Sequence, residues 1–148
     1  MNIDLEMNDM DIENRDFSAQ DLTDVNFNQS NLTEVNFTGC DLTGANFSRA
    51  NLVECDFTGA ILNGANFSYA VVNYCNFSEA DMAGAVFNEA DLTDSDLSNA
   101  ENLDATRFDD GTIWPDLDKM PDDFDSTYVQ DLSSLNDEED DMGSELDY

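Results

Sequence analysis

Phenylalanine recurs at Phe17, Phe27, Phe37, Phe47, Phe57, Phe67, Phe77 and Phe87. Midway between these residues stand Leu22, Leu32, Leu42, Leu52, Leu62, Val72, Met82 and Leu92, so the true period is five, and Leu97 continues it. Ile12 and Met7 keep the phase backwards, which starts the repeat near Leu5. Two residues before each centre sits a small or apolar side chain, from Val25, Val35 and Cys40 through Ala45 and Cys55 to Ala85 and Ala90. The residue just before the centre is usually Asp or Asn, and the one after it is often Ser or Thr. Such a period suits neither a helix, at about 3.6 residues per turn, nor a strand with its simple alternation of faces. The recurrent Asn, Asp, Gly and Ser also oppose a long helix.

What fits is a chain that turns a corner at every repeat, with two side chains inward per side, the centre and the residue two before it. Four sides make a square coil of 20 residues, and such coils stack as parallel ladders about 4.8 Å apart. Phe17, Phe37, Phe57 and Phe77 then form one column, and Phe27, Phe47, Phe67 and Phe87 the opposite one. Leu22, Leu42, Leu62 and Met82 fill a third column, and Leu32, Leu52, Val72 and Leu92 the fourth. Large and smaller residues alternate around every coil, which fills a narrow interior evenly. A three-sided coil of 15 residues would mix Phe with Leu in each column.

Runs such as ANFSRANLVECDFTGA and CNFSEADMAGAVFNEADL resemble the pentapeptide-repeat family, with its A(D/N)LXX unit, over about residues 5–100. The resemblance implies an all-β fold, a right-handed quadrilateral parallel β-helix of about four and a half coils, roughly 20–25 Å long. It implies a binding protein rather than an enzyme. Quinolone-resistance members of the family are acidic, DNA-like rods that engage DNA gyrase. Those rods are longer and carry loops between repeats, which this chain lacks.

After Ala100 the phase slips by one, and Leu103, Phe108 and Ile113 continue a spacing of five in a new register. Residues 101–120 read as a closing segment, with Trp114 over the last coil and Pro115 unable to donate to a further ladder. Residues 121–148 read as an acidic tail, in which Tyr128, Val129, Leu132 and Leu135 share one helical face behind Ser126 as N-cap.

Charge narrows the function. The chain has 35 acidic and 4 basic residues among 148, no histidine, and a formal charge of −31. That excludes direct nucleic-acid binding by phosphate neutralisation and disfavours anionic membranes. The 41% hydrophobic fraction still supplies a core. Three cysteines without a CxxC spacing suggest a reduced, cytoplasmic setting. The opening MNIDLEMNDMDIENRD is acidic and has no apolar stretch, so no secretory leader is expected. Without histidine there is no ready general base or imidazole ligand. The cysteines fall on inward positions and read as small core residues. The tail run DEEDD lacks the glycine-centred spacing of a calcium loop. No cofactor is expected. An ice-binding reading fails because no pair of adjacent threonine columns persists; Thr23 and Thr43 give way to Asn63 and Ala83.

Two candidate surfaces remain. Acids gather on three of the four sides, with Asp16, Asp21, Asp24, Asp41, Asp56, Asp81, Asp91 and Asp94 as candidate partner-binding carboxylates. The Phe27 side has only Glu89 beyond the first coil, with Arg49 and a ladder of Asn26, Asn46 and Asn66. Such a rod could occupy the DNA-binding surface of a basic protein, DNA gyrase or another DNA-binding protein. The competing readings are a general interaction scaffold, and acidity serving only solubility or salt adaptation. The second surface is an outward apolar patch of Val53, Tyr69, Val71 and Tyr74 rimmed by Glu34, Glu54 and Asp94, suited to a protein partner or to a homodimer.

Overall fold

The structure, a computed structural model, describes residues 5–125. The amphipathic stretch expected behind Ser126 lies outside the described residues. The described chain winds into a four-sided coil in which each residue pairs with the one 20 positions on, as Asp11 with Asn31, Asn31 with Asn51, and Asn51 with Val71. On the side that carries Ile12, Leu32, Leu52 and Val72 these pairings form a parallel sheet. Its strands are β1 (Asp11–Glu13), β2 (Asn31–Thr33), β3 (Asn51–Val53) and β4 (Val71–Asn73), in the order β1-β2-β3-β4. The other three sides pair through single bridges, such as Asp16 with Asn36 and Asn26 with Asn46.

One of two local devices explains this difference. The second residue after every centre, from Asp9 to Asp94, has a positive φ. This left-handed residue turns each corner, and glycine fills it without strain at Gly44, Gly64 and Gly84. On the bridge-only sides, the Asp or Asn before the centre accepts the N–H of the residue after it: Ser18 donates to Asp16 Oδ1, Ser48 to Asn46 and Thr58 to Asp56. A backbone bond then closes the corner, as from Cys40 N–H to the Phe37 carbonyl at 3.0 Å. Through β1–β4 the equivalent backbone continues the ladder, and a three-residue strand results. Asp91 returns to the side-chain device by accepting Thr93 N–H at 3.0 Å, which ends the sheet at Leu92.

Inside, the phenylalanines form two columns. Phe57 stacks on Phe37 and on Phe77 with centroids 4.9 Å apart in each case. Rings of the opposite column meet these edge to face, as Phe47 meets Phe57 at 5.8 Å. The packing requires every centre inward, and all are buried from Met7 to Leu97. Polar residues two before a centre are tolerated because they donate across the coil spacing. Ser30 Oγ reaches the Met7 carbonyl at 2.6 Å, and Cys40 Sγ reaches the Phe17 carbonyl at 3.0 Å.

The closing segment departs from expectation. Glu101 pairs with Asp81, Arg107 with Val86 and Ile113 with Asp91, so the separation grows from 20 to 21 to 22 residues. Two single-residue insertions lengthen the sides of the last coil. Leu103 is buried as expected and Phe108 partly so, but Ile113 points outward and is 49% exposed. Trp114 takes the inward place, meeting Phe87 at 6.0 Å and Phe124 at 5.1 Å. Thr112 occupies the small inward position before it and donates to the Phe87 carbonyl at 2.9 Å.

Replacing Phe57 with Ala removes a ring held on both faces. Urea melts of the variant are expected to show a loss of about 3–5 kcal/mol, the usual range for an aromatic cavity. A loss below ~1 kcal/mol would contradict the stacked core.

Candidate interaction surface

The repeat divides the eight candidate carboxylates into two kinds. Asp16, Asp21, Asp41, Asp56, Asp81 and Asp91 stand just before a centre, and each commits one oxygen to its own corner. Asp41 Oδ1 accepts both the N–H and the hydroxyl of Thr43, at 3.1 and 2.6 Å. Asp21 holds Thr23 in the same way, and Asp91 holds Thr93. Asp24 and Asp94 instead are left-handed corner residues, with φ of 62° and 65°, and both are exposed.

Asparagine makes the same corner bond. Asn36, Asn46, Asn66 and Asn76 each accept the N–H two residues on through Oδ1. Where this corner bond forms, it uses an oxygen and not a charge, and Ile61 and Val86 stand at the same position without it. The Asp/Asn preference and the Ser/Thr that follows are thus two ends of one bond, and the recurring D-x-T and N-x-S triplets are its signal in the sequence.

The structure brings some candidates together and separates others. Asp21 and Asp41 are directly paired between coils. Ile61, 39% exposed, stands between Asp41 and Asp81. Asp16 and Asp56 are separated by Asn36, and Asn76 follows before Asp96. The neutral side is a ladder of Asn26, Asn46 and Asn66.

Hydrogen bonds hold several of these carboxyls below their ordinary range. For Asp16 the cause is first the Ser18 hydroxyl and then its N–H, and for Asp21 the same two groups of Thr23. Asp81 is held mainly by the Asn102 side chain, then by Ala83 N–H. Asp96 is held mainly by the Ser98 hydroxyl, then by Ser98 N–H. A depressed carboxyl contributes stability above its unfolded value, and that stability is lost as pH falls through the folded value.

Val53 and Val71 lie on the outer side of the β1–β4 sheet. Val53 pairs with Asn73 and Val71 with Asn51, so the valines stand diagonally rather than one above the other. Val53 is half-buried, whereas Val71 is 38% exposed. Tyr69 and Tyr74, the most exposed large apolar residues among those described at 54% and 62%, occupy the corners at the two ends of β4. Arg49, one coil below Tyr69 as the period of 20 places it, lies over its ring at 4.6 Å to the centroid. All three cysteines are free and buried. Burial pushes the Cys40 and Cys75 thiols up, which keeps them protonated.

A family model for the pentapeptide repeat region matches residues 30–108, more than half of the chain. The chain belongs to the pentapeptide-repeat family. Its coil is accordingly the right-handed quadrilateral β-helix of that family. The crystal structure of a pentapeptide repeat protein from the Arabidopsis thaliana thylakoid lumen is similar at TM-score 0.54 and 34% identity, over 66% of this chain and 72% of that one. The cyanobacterial protein Rfr23 from Cyanothece 51142 gives TM-score 0.40 and 23% identity over 74% of this chain and 91% of that one. QnrB1, a plasmid-mediated fluoroquinolone resistance protein, gives TM-score 0.22 and 20% identity over 64% and 57%. No curated protein matches the chain.

Two outcomes test the pentapeptide corner. Asp41→Asn should leave stability unchanged, whereas Asp41→Ala should cost about 1 kcal/mol by losing the acceptor; equal effects in chemical denaturation would refute the corner role. Asn36→Asp with Asn76→Asp would stack acids along the Asp16–Asp96 column at about 4.8 Å instead of alternating them. The double variant should melt lower at low ionic strength and recover with salt. A melting temperature equal to the parent's at every salt concentration would contradict this.

Proposed function

We propose that this protein is a non-enzymatic binding rod whose acidic sides occupy the DNA-binding surface of a basic protein. The observation that carries this reading is the charge per unit length. Residues 16–100 carry 13 acids and one base. With 20 residues per coil, they span about four and a quarter coils, or about 20 Å at a ladder spacing of ~4.8 Å. The net −12 is therefore close to one charge per ~1.7 Å, the axial charge density of duplex DNA.

The corner chemistry strengthens this reading. Asn satisfies the fold at the position before each centre, yet Asp stands there at Asp16, Asp21, Asp41, Asp56, Asp81 and Asp91. On the Phe27 side the chain uses Asn26, Asn46 and Asn66 instead. Charge is thus distributed by side, which a pure solubility role does not require. A carboxylate that caps a corner through one oxygen has a second oxygen with which to accept from a lysine or arginine of the partner.

A type II topoisomerase such as DNA gyrase is the first partner to test, because the family includes DNA-like rods that engage it. The protein should inhibit DNA-dependent activity, and added duplex DNA should relieve the inhibition. Asp21→Asn, Asp41→Asn and Asp81→Asn together preserve the corner acceptors. This triple variant should bind more weakly and with a shallower salt dependence, as read by fluorescence anisotropy. If the rod competes with DNA for no basic partner at low salt, the DNA-like reading fails and a general scaffold replaces it.

A further inference from the structure

Tyr74 is a residue the fold does not ask for. Its backbone is left-handed, with φ of 58°, a corner that glycine fills without strain at Gly39, Gly44 and Gly59 and that polar residues such as Asn14, Glu34 and Asp94 fill elsewhere. A bulky aromatic is disfavoured in that conformation, and a side chain 62% exposed gains little from burial in return. Its column places charge on both sides. The pairings Val53 with Asn73 and Asn76 with Asp96 set Glu54 one coil below and Asp94 one coil above. Tyr74 thus stands in its column between two acidic residues whose backbones are about 10 Å apart. The column of Asn14, Glu34, Glu54, Tyr74 and Asp94 contains no basic residue.

The molecule already shows which group such a ring accepts. At the other end of β4, Arg49 lies over Tyr69 at 4.6 Å. A planar guanidinium stacks on an aromatic face while its N–H fork reaches a carboxylate, a combination that a lysine ammonium does not reproduce. Charge complementarity also disfavours a second copy, because two such patches would face each other with acidic rims.

We propose that Tyr74, with Glu54 and Asp94, clamps an arginine side chain of the protein partner, so that the β1–β4 side docks an arginine-bearing segment. This rests on the protein-binding reading above and names the chemistry by which one side of the rod selects its partner. General acidity attracts lysine and arginine alike, whereas the clamp discriminates between them.

Oligoarginine and oligolysine peptides of equal length, titrated into the full chain at matched ionic strength, test the clamp through the NMR signals of the tyrosine rings. Oligoarginine should bind tighter by on the order of fivefold, the scale of one cation–π contact, and should shift the Tyr74 ring. Tyr74→Asn should abolish the preference while leaving equal residual binding of both peptides. Asn14 adopts the same left-handed conformation in this column, so the variant should keep the fold. Glu54→Gln with Asp94→Asn should narrow the preference. Equal affinity of the parent for both peptides, or a preference that survives Tyr74→Asn, overturns the proposal. So does a parent dimer in sedimentation that Tyr74→Asn dissociates, which would assign the patch to a second copy. Failure of the DNA-like reading appears separately, as absent DNA competition in an assay that uses neither peptide.

Discussion

A left-handed residue at every fifth position is the constraint on which the rest of this structure depends. It turns the chain by one corner, and four such turns return it above its starting point, where the backbone groups of successive coils pair. Because L-residues resist this conformation by roughly 1–2 kcal/mol each, many corners outside glycine represent a distributed cost. The continuous ladder and the phenylalanine stacks offset it. No single corner is self-sufficient; each is held by the coil above and below, as expected of a quasi-one-dimensional repeat.

The same geometry separates structural from functional requirements unusually cleanly. Inward positions are fixed by packing, and the residue before most centres serves as an oxygen acceptor, with Ile61, Val71 and Val86 as the apolar exceptions. Charge at that position is then a free choice, since a carboxylate and an amide cap the corner alike. This is why the distribution of Asp against Asn can be read as a functional pattern. Amides at this position also relieve repulsion locally: in the Asp16–Asp96 column they separate the acids and roughly double the spacing of like charges.

Much of the fold was legible because a strict repeat amplifies a weak local signal. The columns of Phe17, Phe37, Phe57 and Phe77 follow from periodicity alone, since a period of five with alternating sizes admits one square coil. The closing coil was less legible. Ile113 and Trp114 are adjacent and both apolar, and only the two insertions decide that Trp114 turns inward while Ile113 faces out. The candidate acids could be assigned to sides from the sequence. Their corner bonds leave a sequence trace in the recurring D-x-T and N-x-S triplets, because an Asp or Asn just before a centre meets the N–H two residues on.

The sequence by itself determined the coil length, the inward residues, the acidic sides and the neutral one, because each is a consequence of position modulo 20. Tertiary structure alone decided which side becomes a true sheet, since that depends on whether a backbone N–H bonds to a side chain within its own corner or to the neighbouring coil. It also decided that Arg49 covers Tyr69, a contact between residues on successive coils. Periodicity specifies which residues are neighbours, but the direction of a long side chain at a left-handed corner is set by the ring or carboxylate it finds there.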